Sequence, residues 1–330
     1  MNPFAYQRVE QEDAAVEAVA HGEGSRFLAG GTNLIDLMKN GIEQPTRLID
    51  INRLSSLAEI RPLPDGGLRL GALARNSDTA NHPLVRKSYP LLAQALLAGA
   101  SPQLRNLATN GGNLLQRTRC YYFMDVAFSR CNKRIPGSGC GAREGLNRIH
   151  AILGASDQCI ATNPSDMSVA LAALEAQIRV RGTKGERTIP IAEFHRLPGT
   201  TPQLDTNLKP GELILSIDLP KSSYASHSHY LKVRDRASYA FALVSVAAAL
   251  ELDGKRIRSA RIAIGGVAHK PWRSVDAEKT LVGAEMSVEV FEAAANQALT
   301  GARPYSQNAF KVELAKRSII RALSSAGGLT

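Results

Sequence analysis

The stretches LAGGTNLID (28–36) and ATNGGNLLQ (108–116) each set a Gly-Gly pair among hydroxyl and amide side chains. In the first, RFLA (26–29) reads as a short apolar strand, Gly30-Gly31 breaks it, and Thr32 is placed to cap a helix through NLIDLMKN (33–40). Glycines between a strand and a helix let a phosphate approach the backbone, free N–H groups donate, and the helix start favours negative charge. One such pair is equally well explained as a plain strand-to-helix turn. Two of them, the second flanked by Thr109, Asn110 and Asn113, can clamp one diphosphate from both sides. Neither follows the GxGxxG rule, and the one loose match, GSGCGA (137–142), follows Pro136 and no strand, which excludes the dinucleotide-binding Rossmann reading.

Working outward, RLIDI (47–51) and GLRLGAL (67–73) read as strands, and Ser88 to Leu97 as a helix. SPQLRNLATNGGNLLQ (101–116) reads as a helical turn followed by a functional loop. Ser165 is placed to cap a helix over MSVALAALEA (167–176), IRVRG and RTIPI form a hairpin, and LKPGELILSIDLP (208–220) is a turn and a strand. After a polar, Ser-rich boundary at Lys221 to Ser228 come strands at HYLKVR (229–234), FALVSVAAALEL (241–252) and RIRSARIAIGGV (256–267), with a turn at Asp253-Gly254. Helices over 288–299 and 308–323 complete the chain. His227 and His229 read as surface residues of a strand.

At 330 residues the chain is long enough for two or three domains of roughly 150 residues each. Its 44% hydrophobic content excludes disorder, and no apolar run reaches the ~20 residues that would cross a bilayer, so no membrane insertion is expected. The first twenty residues lack a basic segment ahead of an apolar one and read as no secretory signal, which leaves export on a partner's signal open. A net charge of +10 would suit nucleic acid, but the basic residues are spread out and aromatics are 5%, too few for a stacking platform. A solvated basic face or one that docks an acidic partner is the better reading.

All four cysteines, Cys120, Cys131, Cys140 and Cys159, fall in one segment, 117–163, that is otherwise rich in Gly and poor in periodicity. A loop this long normally does something. Two disulfides are conceivable, but a chain of this length needs no staples, and a four-thiolate site is preferred. The spacings of ten, eight and eighteen intervening residues match neither the compact ferredoxin run nor the CxxC pairs of zinc sites. On residues alone an iron–sulfur cluster, zinc and free thiols stay level. Arg117, Arg119, Lys133 and Arg134 flank the cysteines and would offset the charge of a bound cluster.

LAGGTNLID, ATNGGNLLQ, NPSDMSVALAALEA (163–176), LKPGELI (208–214), KVRDRASYAFALVSVAA (232–248) and IAIGGVAHKPWR (262–273) together resemble the FAD-binding medium subunit of xanthine dehydrogenase-family molybdoenzymes, in order over nearly the whole chain. The segment RTRCYYFMDVAFSRCNKRIPGSGC (117–140) resembles the branch found in bacterial periplasmic aldehyde oxidoreductases, and 4-hydroxybenzoyl-CoA reductase has a comparable insert. The resemblance implies an α+β fold: a vanillyl-alcohol-oxidase-type (PCMH-type) FAD-binding domain over 1–221, with subdomains 1–60 and 61–221 and the insert at 117–163. A CO dehydrogenase flavoprotein C-terminal-like α+β domain would follow over 222–330. It also implies that Arg26, Phe27, Leu28, Ala29, Gly30, Gly31, Thr32, Asn33 and Leu34, with Thr109, Gly111, Gly112 and Asn113, cradle the FAD diphosphate. Asp166, Ile214 and Lys232 would line the adenosine or isoalloxazine parts, and the four cysteines would hold a 4Fe–4S cluster. No catalytic residue is expected on this chain. Aldehyde oxidation would occur on a large molybdenum-cofactor subunit, electrons would cross a small 2Fe–2S subunit to the FAD, and an external acceptor would collect them. The expected compartment is the periplasm, with the cytoplasm as the alternative. A stand-alone flavin oxidase with a zinc-stabilised loop and a non-catalytic scaffold are the competing readings.

Overall fold

A computed structural model of the chain describes residues 1–20 and 22–329. Twelve strands form three sheets: β1 (Ala5–Arg8), β2 (Ser25–Leu28), β3 (Arg47–Asp50), β4 (Ile60–Pro62), β5 (Leu68–Gly71), β6 (Gln177–Gly182), β7 (Gly185–Pro190), β8 (Leu213–Leu219), β9 (Ser228–Val233), β10 (Val244–Asp253), β11 (Arg256–Gly265) and β12 (Trp272–Arg273). The first sheet, ordered β1-β3-β2, is parallel, with Gln7 and Phe27 both opposite Ile49. Parallel neighbours need crossovers. Helix Glu12–Ala20 carries the chain from β1 to β2, and helix Leu34–Lys39 from β2 to β3.

The second sheet, β4-β5-β8-β6-β7, and the third, β12-β11-β10-β9, are antiparallel. Between β5 and β6 the chain runs out through five short helices, the cysteine segment and helix Asp166–Ala173 before it returns to the sheet. This excursion is where the site is built.

Strand β10 explains how the third sheet joins the rest. Val244 through Leu250 are all buried, without the alternation of a strand that has one wet face. Val244, Val246, Ala248 and Leu250 pack toward helices Val288–Ala298 and Phe310–Gly327. The intervening Ala247 and Ala249 join a different core, with helices Pro90–Ala98 and Asp166–Ala173. The strand therefore serves two cores at once, with alanine on the side where the helices come close.

Several sequence expectations change. Asn33, not Thr32, sits at the start of the helix Leu34–Lys39, and no side chain caps it. The segment 101–116 is two helices, Pro102–Leu107 and Asn110–Leu114, with Ser101 and Thr109 accepting from Leu104 and Gly112 N–H. Strand β1 and helix Glu12–Ala20 were not anticipated. The cysteine segment holds one four-residue helix, Tyr121–Met124, and otherwise turns and isolated bridges, as its lack of periodicity predicts.

Candidate functional site

The turn after β2 is shaped by its two glycines in different ways. A Cβ on Gly30 would stand 2.1 Å from the carbonyl oxygen of Leu107, so the end of helix Pro102–Leu107 rests directly on this backbone. Gly31 has φ +70°, a left-handed conformation that side chains disfavour. Among the described residues no acceptor faces the N–H groups of Gly31, Thr32, Asn33 and Leu34. Four neighbouring donors on one turn, unpaired within the chain, form an anion-binding concavity. Asn33 Oδ1 instead accepts from the Arg117 N–H at 3.0 Å and ties the start of the cysteine segment to the turn.

The second glycine pair is used differently. Asn110 N–H donates to Ala74 O, Gly111 N–H to Ala72 O at 2.8 Å, and Gly112 N–H to Thr109 Oγ1 at 3.2 Å. A Cβ on Gly111 would press on Ala72 at 3.2 Å. Thr109 and Gly111 are therefore buried framework, not ligand surface, which corrects the expectation that both loops present free donors. Gly112 and Asn113 do face the cavity between the loops. Asn113 is held from two sides, its Nδ2 donating to Asn76 Oδ1 at 2.8 Å and its Oδ1 accepting from Ser165 Oγ at 2.7 Å.

That cavity has a volume of about 800 Å³, within the range of cofactor sites. Of the run 26–34, Gly30 to Asn33 line it. Arg26 to Leu28 form the strand that leads in, Ala29 follows them and Leu34 opens the helix. On another wall, Lys232 Nζ lies 2.7 Å from Asp166 Oδ2, both side chains nearly inaccessible, and also donates to Ala98 O at 3.1 Å. The Tyr230 hydroxyl donates to the other Asp166 oxygen at 2.8 Å. Burial and the Asp166 charge both push the Tyr230 phenol far up, so it stays a donor. Asp166 opens its helix with Ser165 Oγ capping Ser168 N–H, as predicted. Ile214 is different: it lies buried in β8 against β6, within the sheet's core, and is not among the cavity's lining residues. Sequence reasoning missed Tyr239 and Phe241 on the cavity wall, for which the signal was the aromatic pair inside KVRDRASYAFALVSVAA, and it assigned Arg119 to the cysteines where the fold places it on this wall. The Arg119 guanidinium pairs with Asp36 at 2.6 Å and sits over the Phe241 ring at 5.3 Å.

All four cysteines line one small cavity of about 10 Å³. Cys120, Cys131 and Cys159 are buried and Cys140 is half-buried; all are free thiols. Burial pushes the Cys120 thiol up to about 12 and the Cys159 thiol up to about 11, the latter against the pull of Lys133. His150, also missed, places Nε2 3.1 Å from Cys120 Sγ, and burial pulls its imidazole down to about 4. Among the described residues no three His, Cys, Asp or Glu side chains stand close enough to chelate one ion. A zinc ion with bonds of about 2.3 Å would need its sulfurs within about 4 Å of one another. A cluster binds each thiolate to a different iron, so its ligands stand further apart.

The flanking cations have other partners than the sequence suggested. Arg117 bridges Glu43 and Asp205, and Lys133, 1% exposed, pairs with Asp205 at 2.5 Å and donates to Pro202 O. Burial alone would raise Asp205, but Lys133 and Arg117 outweigh it and hold the carboxyl down at about 2. Arg134 donates to the carbonyls of Asp125 and Phe128. From the C-terminal helix, the buried Lys311 Nζ donates to the carbonyls of Ile149, His150 and Gly266, and burial brings it down to about 7. The cysteine segment is thus fixed by protein contacts on both sides.

The profile of the FAD binding domain in molybdopterin dehydrogenase matches residues 2–222, and that of the CO dehydrogenase flavoprotein C-terminal domain matches residues 229–326. The chain is 51% identical to the aldehyde oxidoreductase FAD-binding subunit PaoB of Escherichia coli (strain K12), over 99% of both chains. It is 28% identical to the glyceraldehyde dehydrogenase medium chain of Sulfolobus acidocaldarius over 92% of this chain and 90% of that one. Among solved structures, carbon monoxide dehydrogenase from Hydrogenophaga pseudoflava superposes with a TM-score of 0.78 at 26% identity, covering 99% of this chain and 98% of that one.

Proposed function

Because the chain belongs to the FAD-binding medium subunits of the molybdopterin dehydrogenases, the xanthine dehydrogenase family, we propose that it is the flavin subunit of a molybdenum aldehyde oxidoreductase. The observation that carries this is the pairing of 51% identity to an aldehyde oxidoreductase subunit over 99% of the chain with a cavity whose free donors suit a diphosphate. In the proposed site the N–H groups of Gly31 to Leu34 bind the diphosphate of FAD, and Gly112 and Asn113 close on it from the other loop. Lys232 is anchored by Asp166 and Ala98 O and offers a fixed positive charge on another wall. Arg119, stacked on Phe241, adds a cationic and aromatic face to the same cavity. Bound there, FAD would accept electrons singly or in pairs and hand them on. No group on this chain is assigned to aldehyde chemistry.

The partners in this reading are a large molybdenum-cofactor subunit and a small 2Fe–2S subunit, forming a heterotrimer that reduces an external acceptor. The proposed compartment is the periplasm, reached on a partner's signal. Among the described residues no helix is long and apolar enough to cross a membrane. The four cysteines are proposed to hold a 4Fe–4S cluster. The convergence of four thiols on one small cavity, in a segment already fixed by Lys133, Asn147 and Lys311, supports it. A cluster would supply one-electron chemistry and give the buried thiols the positive charge they need to ionise.

The purified chain is expected to carry flavin absorption and about one FAD, and iron when prepared without oxygen. It should turn over benzaldehyde with an artificial acceptor only when the two partner subunits are present. Aldehyde turnover by the chain alone would favour a stand-alone oxidase, and zinc in place of iron would end the cluster reading.

A further inference from the structure

We propose that Cys131 and Cys140 form a built-in thiol–disulfide pair, which a disulfide oxidant such as glutathione disulfide closes when the thiols carry no metal. The inference stands on backbone register and holds whether the cluster reading is right or wrong. The two residues face each other in an isolated antiparallel bridge. Asn132 N–H donates to Gly139 O at 2.7 Å, and Gly141 N–H donates to Arg130 O at 2.9 Å. These bonds flank the cysteines and do not join them, so Cys131 and Cys140 occupy the close, non-hydrogen-bonded register. Directly opposite residues in that register have Cα atoms about 4.5 Å apart and side chains on the same face. That falls inside the roughly 4.4–6.8 Å at which disulfides form.

The bridge is held by contacts independent of the thiols. Asn132 Oδ1 accepts from Gly139 N–H at 2.8 Å, and Ser138 Oγ accepts from Cys131 N–H at 3.1 Å. Asn132 Nδ2 donates to Gln158 O at 3.0 Å and ties the ribbon to the turn before Cys159. Access selects the direction of reaction. Cys140 is the half-buried member, while Cys120, Cys131 and Cys159 are buried. With glutathione disulfide as oxidant, the Cys140 thiol, losing its proton, attacks one sulfur and releases one glutathione thiolate. Cys131, losing its proton, then attacks the Cys140 sulfur of the mixed disulfide and releases the second glutathione. One S–S bond forms in the protein, one is broken in the oxidant, and the two protons end on the two glutathione thiols. No other pair of the four sits in a facing bridge among the described residues.

The experiment uses the full chain. Iron is measured first, then metal is stripped with a chelator without oxygen, folding is checked by circular dichroism, and glutathione disulfide is added. Free thiols are alkylated and the protein is digested with trypsin, which puts the four cysteines on separate peptides. The expected outcome is loss of two of the four alkylatable thiols, with residues 131–133 joined to residues 135–143. Cys120→Ser should keep this linked peptide and Cys140→Ser should lose it without a substitute. A predominant link through Cys120 or Cys159, or four thiols still alkylated, overturns the pair. An iron-free starting chain that still closes the pair overturns only the cluster reading.

Discussion

The two Gly-Gly turns look interchangeable in sequence and are opposites in structure. At 30–31 the chain gives up its intramolecular hydrogen bonds and leaves four N–H groups unpaired, three of them on residues that line a cavity. At 111–112 every early N–H of the helix is taken by Ala74, Ala72 or Thr109, and only one face of Gly112 and the Asn113 side chain reach the same cavity. The first turn is a receptor and the second is a wall. A glycine pair therefore announces close approach, and only the hydrogen-bond accounting says whether a ligand or the protein itself is what approaches.

The sharpest way to break this contrast is at Gly30. Gly30→Val places side-chain atoms on the Leu107 carbonyl, a contact between backbones that cannot swing aside. It should cost about 3 kcal/mol or more of stability and remove FAD, seen as a lower thermal midpoint and a colourless preparation. A soluble variant with full flavin would show that the two segments separate easily.

Next in size is the support behind the second turn. His195 Nε2 lies 2.9 Å from Leu114 O at the end of helix Asn110–Leu114, and burial pulls the imidazole down to about 4. The folded pKa is below the unfolded value, so this stability is full above about pH 6.5 and is lost as pH falls toward 4. At pH 5 the loss from His195 is on the order of 2 kcal/mol. Urea unfolding at pH 7.5 and 5 should show it, and His195→Gln should flatten that part of the pH dependence. An unchanged slope in the variant would mean that His195 does not report on the wall.

The smallest effects compare the two pairs directly. Gly31→Ala forces a side chain into φ +70° and should cost about 1–2 kcal/mol together with flavin affinity. Gly112→Ala meets only Thr109 Oγ1 at 3.0 Å and adds a better helix former, so its stability should stay within about 1 kcal/mol of the parent. Flavin titration of the two variants, with unfolding curves alongside, separates receptor from wall. Equal losses in both would collapse the distinction.

Strands β5 to β11 were readable because their apolar runs are bounded by turn residues, while the short edge strands β4 and β12 were not read; the Ser165 cap was readable because capping is local chemistry. Strand β1, AYQR, is exposed throughout and leaves no apolar signal; its pairing to β3 is decided across forty residues. In the site, position along the chain was legible and facing was not. Thr109, Gly111 and Ile214 sit beside the right motifs yet turn into the framework, because a five-residue helix and a bulged strand settle orientation by packing. His150 was invisible as a lone histidine, since only the fold returns it to Cys120 thirty residues back. Lys311 reads as the polar face of an amphipathic helix, and the carbonyls that draw it inward come from segments 45 to 162 residues away.

Strand β10 has a consequence for how the chain is made. Its alanine face completes the core under helices Pro90–Ala98 and Asp166–Ala173, which leave the ribosome well before it does. Until residues 244–250 emerge, those helices hold an uncovered apolar surface, and the nascent flavin-binding half is a client for chaperones. The same dependence means that the C-terminal third is no detachable appendage. A chain cut after residue 222 would present its bare helices to every other copy and should be recovered as aggregate, while the whole chain melts as one cooperative unit.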